Sequence, residues 1–236
     1  MEETKDWKNG MKVGHRFIAS FSGGKDSALA LYKAMQVGEA IGLIVMLEEE
    51  GKRSRSHGMP PELIRAQADS IGLPLYTAAA SWAEYEEAFI GLLKQAKNRG
   101  AEVLVTGDLE LTDYGCWQDE VSTKAGLKLG MPLWQMDHLE TVETFINLGF
   151  LSIVVTVNLS LGMRESDLGR RLDHEFVKEL LDRGIDPCGE GGEFHTTVLD
   201  GPIFKTPIPV RKCDIVRHGD YAFLPLELDE NETISS

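Results

Sequence analysis

The chain has 236 residues, of which 42% are hydrophobic and 26% are charged, and its formal net charge at pH 7 is -14. This composition is typical of a globular protein with one large domain or two small ones. The acidic surplus excludes nucleic acid and anionic membranes as expected partners, and the apolar runs are far shorter than the ~20 residues of a membrane span. The N-terminus lacks an apolar signal core, and the three cysteines form no CxxC pair, which predicts a cytoplasmic protein without disulfides or structural zinc.

The first predicted element is a strand at residues 16–21, which is followed at once by the loop Ser22–Ser27 and the start of a helix. Gly23 and Gly24 have no side chain, so the backbone can approach an anion closely and direct N–H groups toward it. The helix start adds unpaired N–H groups and the positive end of its dipole, and Lys25 adds a full charge. The predicted phosphate-binding residues are Ser22, Gly23, Gly24, Lys25, Asp26 and Ser27.

A helix that is merely capped after a turn is the competing interpretation of this loop. Capping needs only one of Asp26 or Ser27, and it leaves the Gly-Gly-Lys run unexplained. The spacing is not that of a Walker A motif, because no glycine stands five residues before the Gly-Lys pair and because Asp26 follows the lysine.

The next stretch of the chain alternates between predicted strands and predicted helices. Residues 40–47 form a continuous apolar run, as in a strand that is buried on both faces of a parallel sheet. Further strands are predicted at 75–77 and 102–106, and the intervening helices begin near Pro61 and Ser81. This βαβαβαβ order predicts an α/β fold with a doubly wound, Rossmann-like parallel sheet that binds a nucleotide.

Thr106, Gly107 and Asp108 directly follow the fourth predicted strand. The carboxyl ends of parallel strands meet at one edge of a sheet, so we expect these residues to face the same crevice as the phosphate-binding loop. Asp108 could place Mg²⁺, together with Asp26, or contact the ribose; an ordinary Gly-Asp turn is the alternative.

The second part of the chain begins after the nucleotide-binding pattern is complete. Pro132–Trp134 leads into a fifth short strand, and a helix is predicted near residues 139–148. The predicted parts are a nucleotide-binding domain at 1–140, a smaller α+β substrate-binding domain at 141–228, and a frayed polar tail at 229–236.

Residues 188–197, with the sequence CGEGGEFHTT, combine many glycines with many functional groups. Glu190 and Glu193 are followed by His195, on a backbone that can bend sharply. This pattern is typical of a site that recognises an amine, ammonium or imidazolium group, or that holds ammonia beside an activated carbonyl. A zinc site with non-standard spacing and a plain turn with a satisfied His195 are the alternatives. The candidates are Glu190, Gly191, Gly192, Glu193, His195 and Thr196.

The loop SGGKDS after a first strand resembles the pyrophosphate loop of the N-type ATP pyrophosphatases. Combined with GEGGEFHT and the following VLDGPIFK, it resembles the diphthine–ammonia ligase family. SHGMP, TGD, PLW, LGF and LGR resemble the bacterial and archaeal branch of that family, so the likeness runs from about residue 14 to about residue 210. Two departures stand out: Asp119 replaces the usual Glu, and Tyr114–Cys116 replaces a more basic stretch.

The resemblance implies an ATP-dependent amidation in which ATP and Mg²⁺ bind at Ser22–Ser27. The diphthine carboxylate on translation elongation factor 2 would attack the α-phosphate, and free ammonium would convert the acyl-adenylate to an amide. The family also implies that the adenine lies near the backbone of Met46. The residues with implied catalytic roles are Lys25, Asp26, Glu190, Glu193 and His195, and His57 is counted with the substrate-binding residues. A homodimer is left open.

Two other functions stay open at this point. One is a related adenylating ligase or amidotransferase that acts on a different, small carboxylate, which a bacterial source would favour. The other is a non-catalytic ATP or AMP sensor, against which the intact Lys25–Asp26 pair and the second polar loop argue. A tRNA-modifying enzyme of the same superfamily would need a basic face and often paired cysteines, which this chain lacks.

Overall fold

The computed structural model describes residues 10–55, 57–110 and 116–229. Three parts of the sequence analysis lie outside these residues. They are Ser56 of the SHGMP segment, Tyr114 and Gly115 of the stretch that departs from the family pattern, and the predicted tail after Asp229. The strands are β1 Arg16–Ser20, β2 Glu39–Leu47, β3 Leu75–Ala79, β4 Val103–Val105, β5 Lys128–Gly130, β6 Leu151–Asn158, β7 Phe194–Asp200, β8 Val210–Lys212, β9 Val216–His218, β10 Tyr221–Phe223 and β11 Leu226–Leu228. The α-helices are α1 Lys25–Met35, α2 Pro61–Ile71, α3 Tyr85–Asn98, α4 Trp117–Ala125, α5 His138–Asn147 and α6 His174–Asp182.

The chain folds into two compact units, and each contains segments that are distant in sequence. The first unit contains residues 1–22, 26–56 and 73–136, and the second contains residues 23–25, 57–72 and 137–236. The three central residues of the predicted phosphate-binding loop therefore group with the second unit, whereas the flanking residues group with the first.

The first unit is built on a parallel sheet with the strand order β3-β2-β1-β4-β5. The chain steps outward from β1 through β2 to β3 and then crosses to the other side of β1 with β4. The switch point of the sheet therefore lies between β1 and β4, where sheets of this kind bind ligands. The predicted doubly wound α/β fold is confirmed.

One face of this sheet packs against α3 and α4. Ile18, Ile44 and Leu104 are almost completely buried there and share a core with Phe89 and Leu93 of α3. The central strands are apolar on both faces because neither face is open to water. This burial explains why residues 40–47 form a continuous apolar run.

Two predicted boundaries in the first unit are wrong. The helix predicted from Ser81 begins at Tyr85, and Trp82 is 75% exposed, with the guanidinium of Arg55 4.4 Å from its ring centroid. The fifth strand is β5, which precedes Pro132 instead of following it, because β5 pairs with β4 immediately after the left-handed turn at Gly126. The sequence KLG has little β propensity of its own, so pairing with β4 makes it a strand.

The second unit contains an antiparallel sheet with the order β7-β6-β10-β9 and a separate two-stranded pair, β11-β8. Helices α2, α5 and α6 belong to the same unit. Asp173 caps α6, since its carboxylate accepts a hydrogen bond from the N–H of Phe176 at 3.0 Å. The prediction of a second part with mixed helices and strands is confirmed.

No helix within the described ranges is long and apolar enough to cross a membrane. The three cysteines all lie within those ranges, and none of them forms a disulfide.

Candidate active site

In the first unit, the loop after β1 and the loop after β4 lie against each other. A Cβ atom on Gly107 would lie 2.8 Å from the carbonyl carbon of Asp26 and 2.9 Å from the amide nitrogen of Ser27. Only glycine allows two backbones to approach this closely. The hydroxyl of Ser22 donates to the hydroxyl of Ser27 at 3.1 Å. The two loops therefore meet at the carboxyl edge of the sheet.

Asp108 occupies a position where its ionised form is costly. Burial raises the pKa of this carboxyl above its ordinary value, and the negative charge of Asp26 raises it further. Hydrogen bonds oppose the rise, including one from the Gln118 side-chain amide on α4 to Asp108 Oδ1 at 2.9 Å. A cation would stabilise both carboxylates, and carboxylate oxygens are ligands that Mg²⁺ accepts. The burial of Asp108 near the charge of Asp26 is therefore compatible with the predicted magnesium site, which stays a prediction.

Met46 is buried in the second half of β2. Its carbonyl oxygen accepts a hydrogen bond from the N–H of Arg55 at 3.0 Å, so the segment after β2 folds back onto the strand beside it. The same arginine donates its side chain to the carbonyl of Ala80.

In the second unit, residues 23–25, which are the centre of the predicted phosphate-binding loop, contact strand β7. The N–H of Val198 donates to the carbonyl of Gly23 at 2.9 Å, and the N–H of Lys25 donates to the hydroxyl of Thr196 at 3.2 Å. A Cβ atom on Gly24 would lie 2.3 Å from Cε1 of His57 and 3.1 Å from the carbonyl oxygen of Thr196. The structure thus brings the two predicted motifs, SGGKDS and GEGGEFHT, into direct contact.

His57 and His195 stack beside this contact. Their ring centroids are 4.7 Å apart, and the planes differ by 19°. Burial above all, together with the electrostatic influence of His195 and Lys25, lowers the pKa of His57 to about 3, although a hydrogen bond with the Thr196 backbone acts in the opposite direction. His57 is therefore neutral at physiological pH. Its Nδ1 atom is buried without a hydrogen-bond partner, so it can accept from a bound group or donate to one.

The glycine-rich turn before β7 presents two carboxylates in different ways. Glu190 is exposed, whereas Glu193 is partly buried and its Oε2 atom has no hydrogen-bond partner. The carboxylate of Glu193 folds over Gly191, where a Cβ atom would lie 2.7 Å from Glu193 Oε1. Gly192 has a φ of 84°, which favours glycine.

The second half of residues 188–197 is a strand, whereas the sequence predicts a backbone that can bend sharply there. His195, Thr196 and Thr197 lie on β7, where Thr156 of β6 is the register partner of His195. Pairing with β6 gives these side chains a fixed alternation, which a loop would not provide. The turn itself is restricted to the residues before Phe194.

Asp186 and Gln67 are two residues at this site that sequence reasoning missed. Asp186 accepts hydrogen bonds from the N–H groups of Cys188 and Glu190 at 2.9 and 3.1 Å, and it pairs with Nδ1 of His138 at 2.8 Å. Gln67 of α2 is completely buried and donates to the carbonyl of Gly23 at 3.1 Å. Neither residue belongs to a recognisable motif: Asp186 acts through backbone N–H groups two and four residues further along the chain, and Gln67 acts through a carbonyl group that is 44 residues away.

A parallel sheet with a glycine loop at its switch point, and with buried Lys25 in that loop, defines a doubly wound, Rossmann-like α/β protein. Residues 15–129 match the family model described as diphthamide synthase N-terminal domain, and residues 137–230 match the one described as diphthamide synthase C-terminal domain. The chain belongs to the diphthamide synthase family.

Curated relatives carry the name diphthine–ammonia ligase. The relative from Schizosaccharomyces pombe is 28% identical over 90% of this chain, although this chain covers only 39% of that longer protein. The Danio rerio relative is 28% identical over 89% of this chain and 92% of its own length, and the Homo sapiens relative is 26% identical over 94% of each. These matches confirm the predicted resemblance and the predicted enzyme class, a ligase.

Proposed function

We propose that this protein is an ATP-dependent ligase that amidates the carboxylate of diphthine on translation elongation factor 2. The carboxylate is first adenylylated with release of pyrophosphate, and ammonia then displaces AMP. The contact between the Lys25 N–H and the Thr196 hydroxyl carries this proposal, because it joins the loop suited to ATP to the strand that presents His195.

The loop residues have a clear role in the first step. The acceptor carboxylate oxygen forms a bond to the α-phosphorus of ATP, while the bond to the bridging oxygen of the β-phosphate breaks. The helix start and the charge of Lys25 stabilise the negative charge that builds on the leaving pyrophosphate. Asp26 and Asp108 are the residues that would hold Mg²⁺, which supplies further charge neutralisation when it is bound.

The residues around β7 serve the second step in this proposal. Ammonia attacks the acyl carbon, and the bond from that carbon to the AMP oxygen breaks. Glu190, Glu193 and His195 position the acceptor or the ammonia, and neutral His57 offers a hydrogen bond without adding a positive charge that would repel ammonium. Thr196 keeps the nucleotide loop beside these groups.

The remaining assignments extend the proposal to the whole chain. Residues 1–140 are assigned to ATP and residues 141–228 to the acceptor, and the cytoplasm is the expected compartment, since the acceptor is a translation factor. Sedimentation equilibrium of the purified chain tests the homodimer that the sequence leaves open.

The test is a reaction of the purified protein with ATP, Mg²⁺, ammonium and diphthine-bearing elongation factor 2. We expect equimolar AMP, pyrophosphate and amidated factor. Lys25→Ala removes the charged side chain but keeps the backbone N–H that donates to Thr196, so it should abolish pyrophosphate release in a folded protein. Lys33→Ala, in the last turn of α1, is the matched control and should retain activity.

Glu193→Gln separates the two steps of the reaction. We expect this variant to bind ATP normally and to form little amidated product, while the exposed Glu175→Gln change has no effect. If the wild-type protein binds ATP but releases no pyrophosphate with any acceptor, it is a nucleotide sensor. If it reacts only with a small carboxylate, it is a related ligase with another substrate.

A further inference from the structure

Gln67 of α2 is a completely buried amide that contacts three groups at the nucleotide loop and β7. Its Nε2 atom lies 2.7 Å from the carbonyl oxygen of Val198, 3.1 Å from the carbonyl oxygen of Gly23 and 3.4 Å from the hydroxyl of Thr197. Two carbonyl oxygens accept hydrogen bonds and cannot donate them, so the atom facing them must be the amide NH₂. The side chain therefore joins the loop to β7.

The carbonyl of Gly23 is held from two sides. It accepts one hydrogen bond from Gln67 and a second from the N–H of Val198 at 2.9 Å, which uses both lone pairs of the oxygen. In a trans peptide the C=O and the following N–H point in opposite directions. Fixing the Gly23 carbonyl toward α2 and β7 therefore turns the N–H of Gly24 away from them.

We propose that Gln67 is a positioning residue for ATP: it sets the orientation of the Gly23–Gly24 peptide and thereby the affinity of the loop for the nucleotide phosphates. The proposal rests on the function assigned to the loop above. Gly23 has a φ of 81°, and glycine has access to many other conformations, so the hydrogen bond from Val198 alone restricts its peptide plane less than the two hydrogen bonds do together. Gln67 removes this freedom before ATP arrives, which lowers the entropic cost of binding.

Ser70 provides a control on the same helix. It is also buried, and its hydroxyl donates to the carbonyl of Thr206 at 2.6 Å and accepts from the N–H of Thr206 at 3.1 Å. Ser70 therefore ties α2 to the segment after β7, in the same way that Gln67 ties α2 to β7. Its hydrogen bonds do not involve the phosphate-binding loop. If Gln67 had a purely structural role, substitutions of Gln67 and of Ser70 should change the nucleotide affinity to the same extent.

The experiment compares Gln67→Met, which preserves the shape of the side chain, with Ser70→Ala. The affinity for α,β-methylene-ATP with Mg²⁺ is measured by calorimetry, and the free energy of unfolding is measured in urea. Both variants should lose stability, because each removes hydrogen bonds that a buried side chain of α2 makes to the backbone of another segment. Gln67→Met should weaken nucleotide binding by about tenfold, the effect of one lost hydrogen bond, and Ser70→Ala should leave it unchanged.

Gln67→Glu adds a signature that a loss of stability cannot imitate. A protonated carboxyl can donate one hydrogen bond to these carbonyls, whereas a carboxylate repels them. The nucleotide affinity of this variant, divided by that of the wild type at the same pH, should therefore increase as the pH falls. Lys25 and His57 lie at the same part of the loop in both proteins, so the wild type measured at each pH is the reference for the variant.

Two results would overturn the proposal: unchanged nucleotide affinity in Gln67→Met, or an equal loss of affinity in Ser70→Ala. The binding measurement contains no acceptor and no ammonium. It therefore decides the role of Gln67 even if the wild-type protein binds nucleotide but does not catalyse the ligase reaction.

Discussion

The glycines of the phosphate-binding loop are required by the side chains around them. A Cβ atom on Gly23 would lie 2.3 Å from Cε of Met59 and 2.6 Å from Oε1 of Gln67, and the backbone there is left-handed, with a φ of 81°. Gly58 is also left-handed, with a φ of 64°, but a Cβ atom on it would meet nothing within 4 Å. A comparison of substitutions at Gly23 and Gly58 therefore separates the cost of a left-handed backbone from the cost of steric crowding.

We predict that Gly23→Ala is destabilised more than Gly58→Ala. Both variants incur the cost of a left-handed alanine, about 1 kcal/mol, but only Gly23→Ala also displaces Gln67 and Met59. Urea unfolding measures the difference, and calorimetry should show weaker nucleotide binding for Gly23→Ala alone. Equal losses of stability would mean that Met59 and Gln67 move aside without cost.

His57 makes the stability of the protein depend on pH. Its pKa is about 3 in the folded protein and 6.5 when unperturbed, so the unfolded chain takes up a proton in this interval that the folded chain does not. Stability is therefore fully present above pH 6.5 and falls as the pH is lowered below it. The loss is at most about 1.4 kcal/mol per pH unit.

We predict that His57→Gln reduces this dependence. The free energy of unfolding of the wild type, minus that of the variant, should become less favourable to the wild type as the pH falls from 7 to 5. Carboxyl groups titrate in both proteins and cancel in the difference. His218→Gln, which changes an exposed histidine, is the matched control. A difference that stays constant with pH would show that His57 becomes protonated without cost.

At the scale of elements, the turn between α6 and β7 depends on one carboxylate. Asp186 accepts from the N–H groups of Cys188 and Glu190 and pairs with His138, so it holds the start of the turn that carries Glu193. Four of the residues between α6 and β7 are glycines, which offer no side chain for packing, and the backbone adds hydrogen bonds from the N–H of Gly189 to the carbonyl of Asp186 and from the N–H of Gly192 to the carbonyl of Gly189, both at 3.1 Å. Its order therefore comes from Asp186 and from the pairing of β7 with β6.

We predict that Asp186→Ala loosens this turn. The free energy of unfolding should fall by roughly 1–3 kcal/mol, because two N–H groups lose their acceptor. Amide hydrogen exchange should become faster at residues 188–193 in particular. Asp182→Ala, which removes an exposed ion pair with Lys178, is the control and should change the stability by less than about 0.5 kcal/mol. Unchanged exchange in Asp186→Ala would assign the order of the turn to β7 alone.

Prediction from sequence succeeded best for the elements that have a strong local pattern. The strand–loop–helix at residues 16–35 and the buried run of β2 were recognisable because their apolar spacing is set by the period of each structure. The start of α3 and the position of β5 were not, since neighbouring strands and turns decide them. Gln67 gave no signal because a lone glutamine in an amphipathic helix is normally solvated.

At the scale of the whole molecule, the net charge of -14 is the dominant electrostatic feature. Several ion pairs, such as Arg16 with Glu39 and Lys178 with Asp182, are exposed, and exposed pairs contribute little stability. Salt should therefore act on stability mainly through the repulsion among the excess acidic groups, and less through the exposed ion pairs. Salt screens this repulsion in the folded protein, where the charges are closest together.

We predict that NaCl stabilises the protein. The melting temperature should rise between low salt and about 0.5 M NaCl, because the Debye length shortens to less than 10 Å. Sodium chloride is preferred to sulfate, which also strengthens apolar burial. A falling melting temperature would mean that the ion pairs contribute more than the repulsion does.

The residue types and their short-range spacing were sufficient to identify the α/β class and the family, and to predict which loop binds phosphate. These features are written locally, since helices, strands and tight turns depend on neighbours a few residues apart. The joining of Lys25 to Thr196, which are 171 residues apart, is not local. Neither is the burial of Gln67 between the loop and β7. Such contacts depend on packing between distant segments, and periodicity carries no information about that packing.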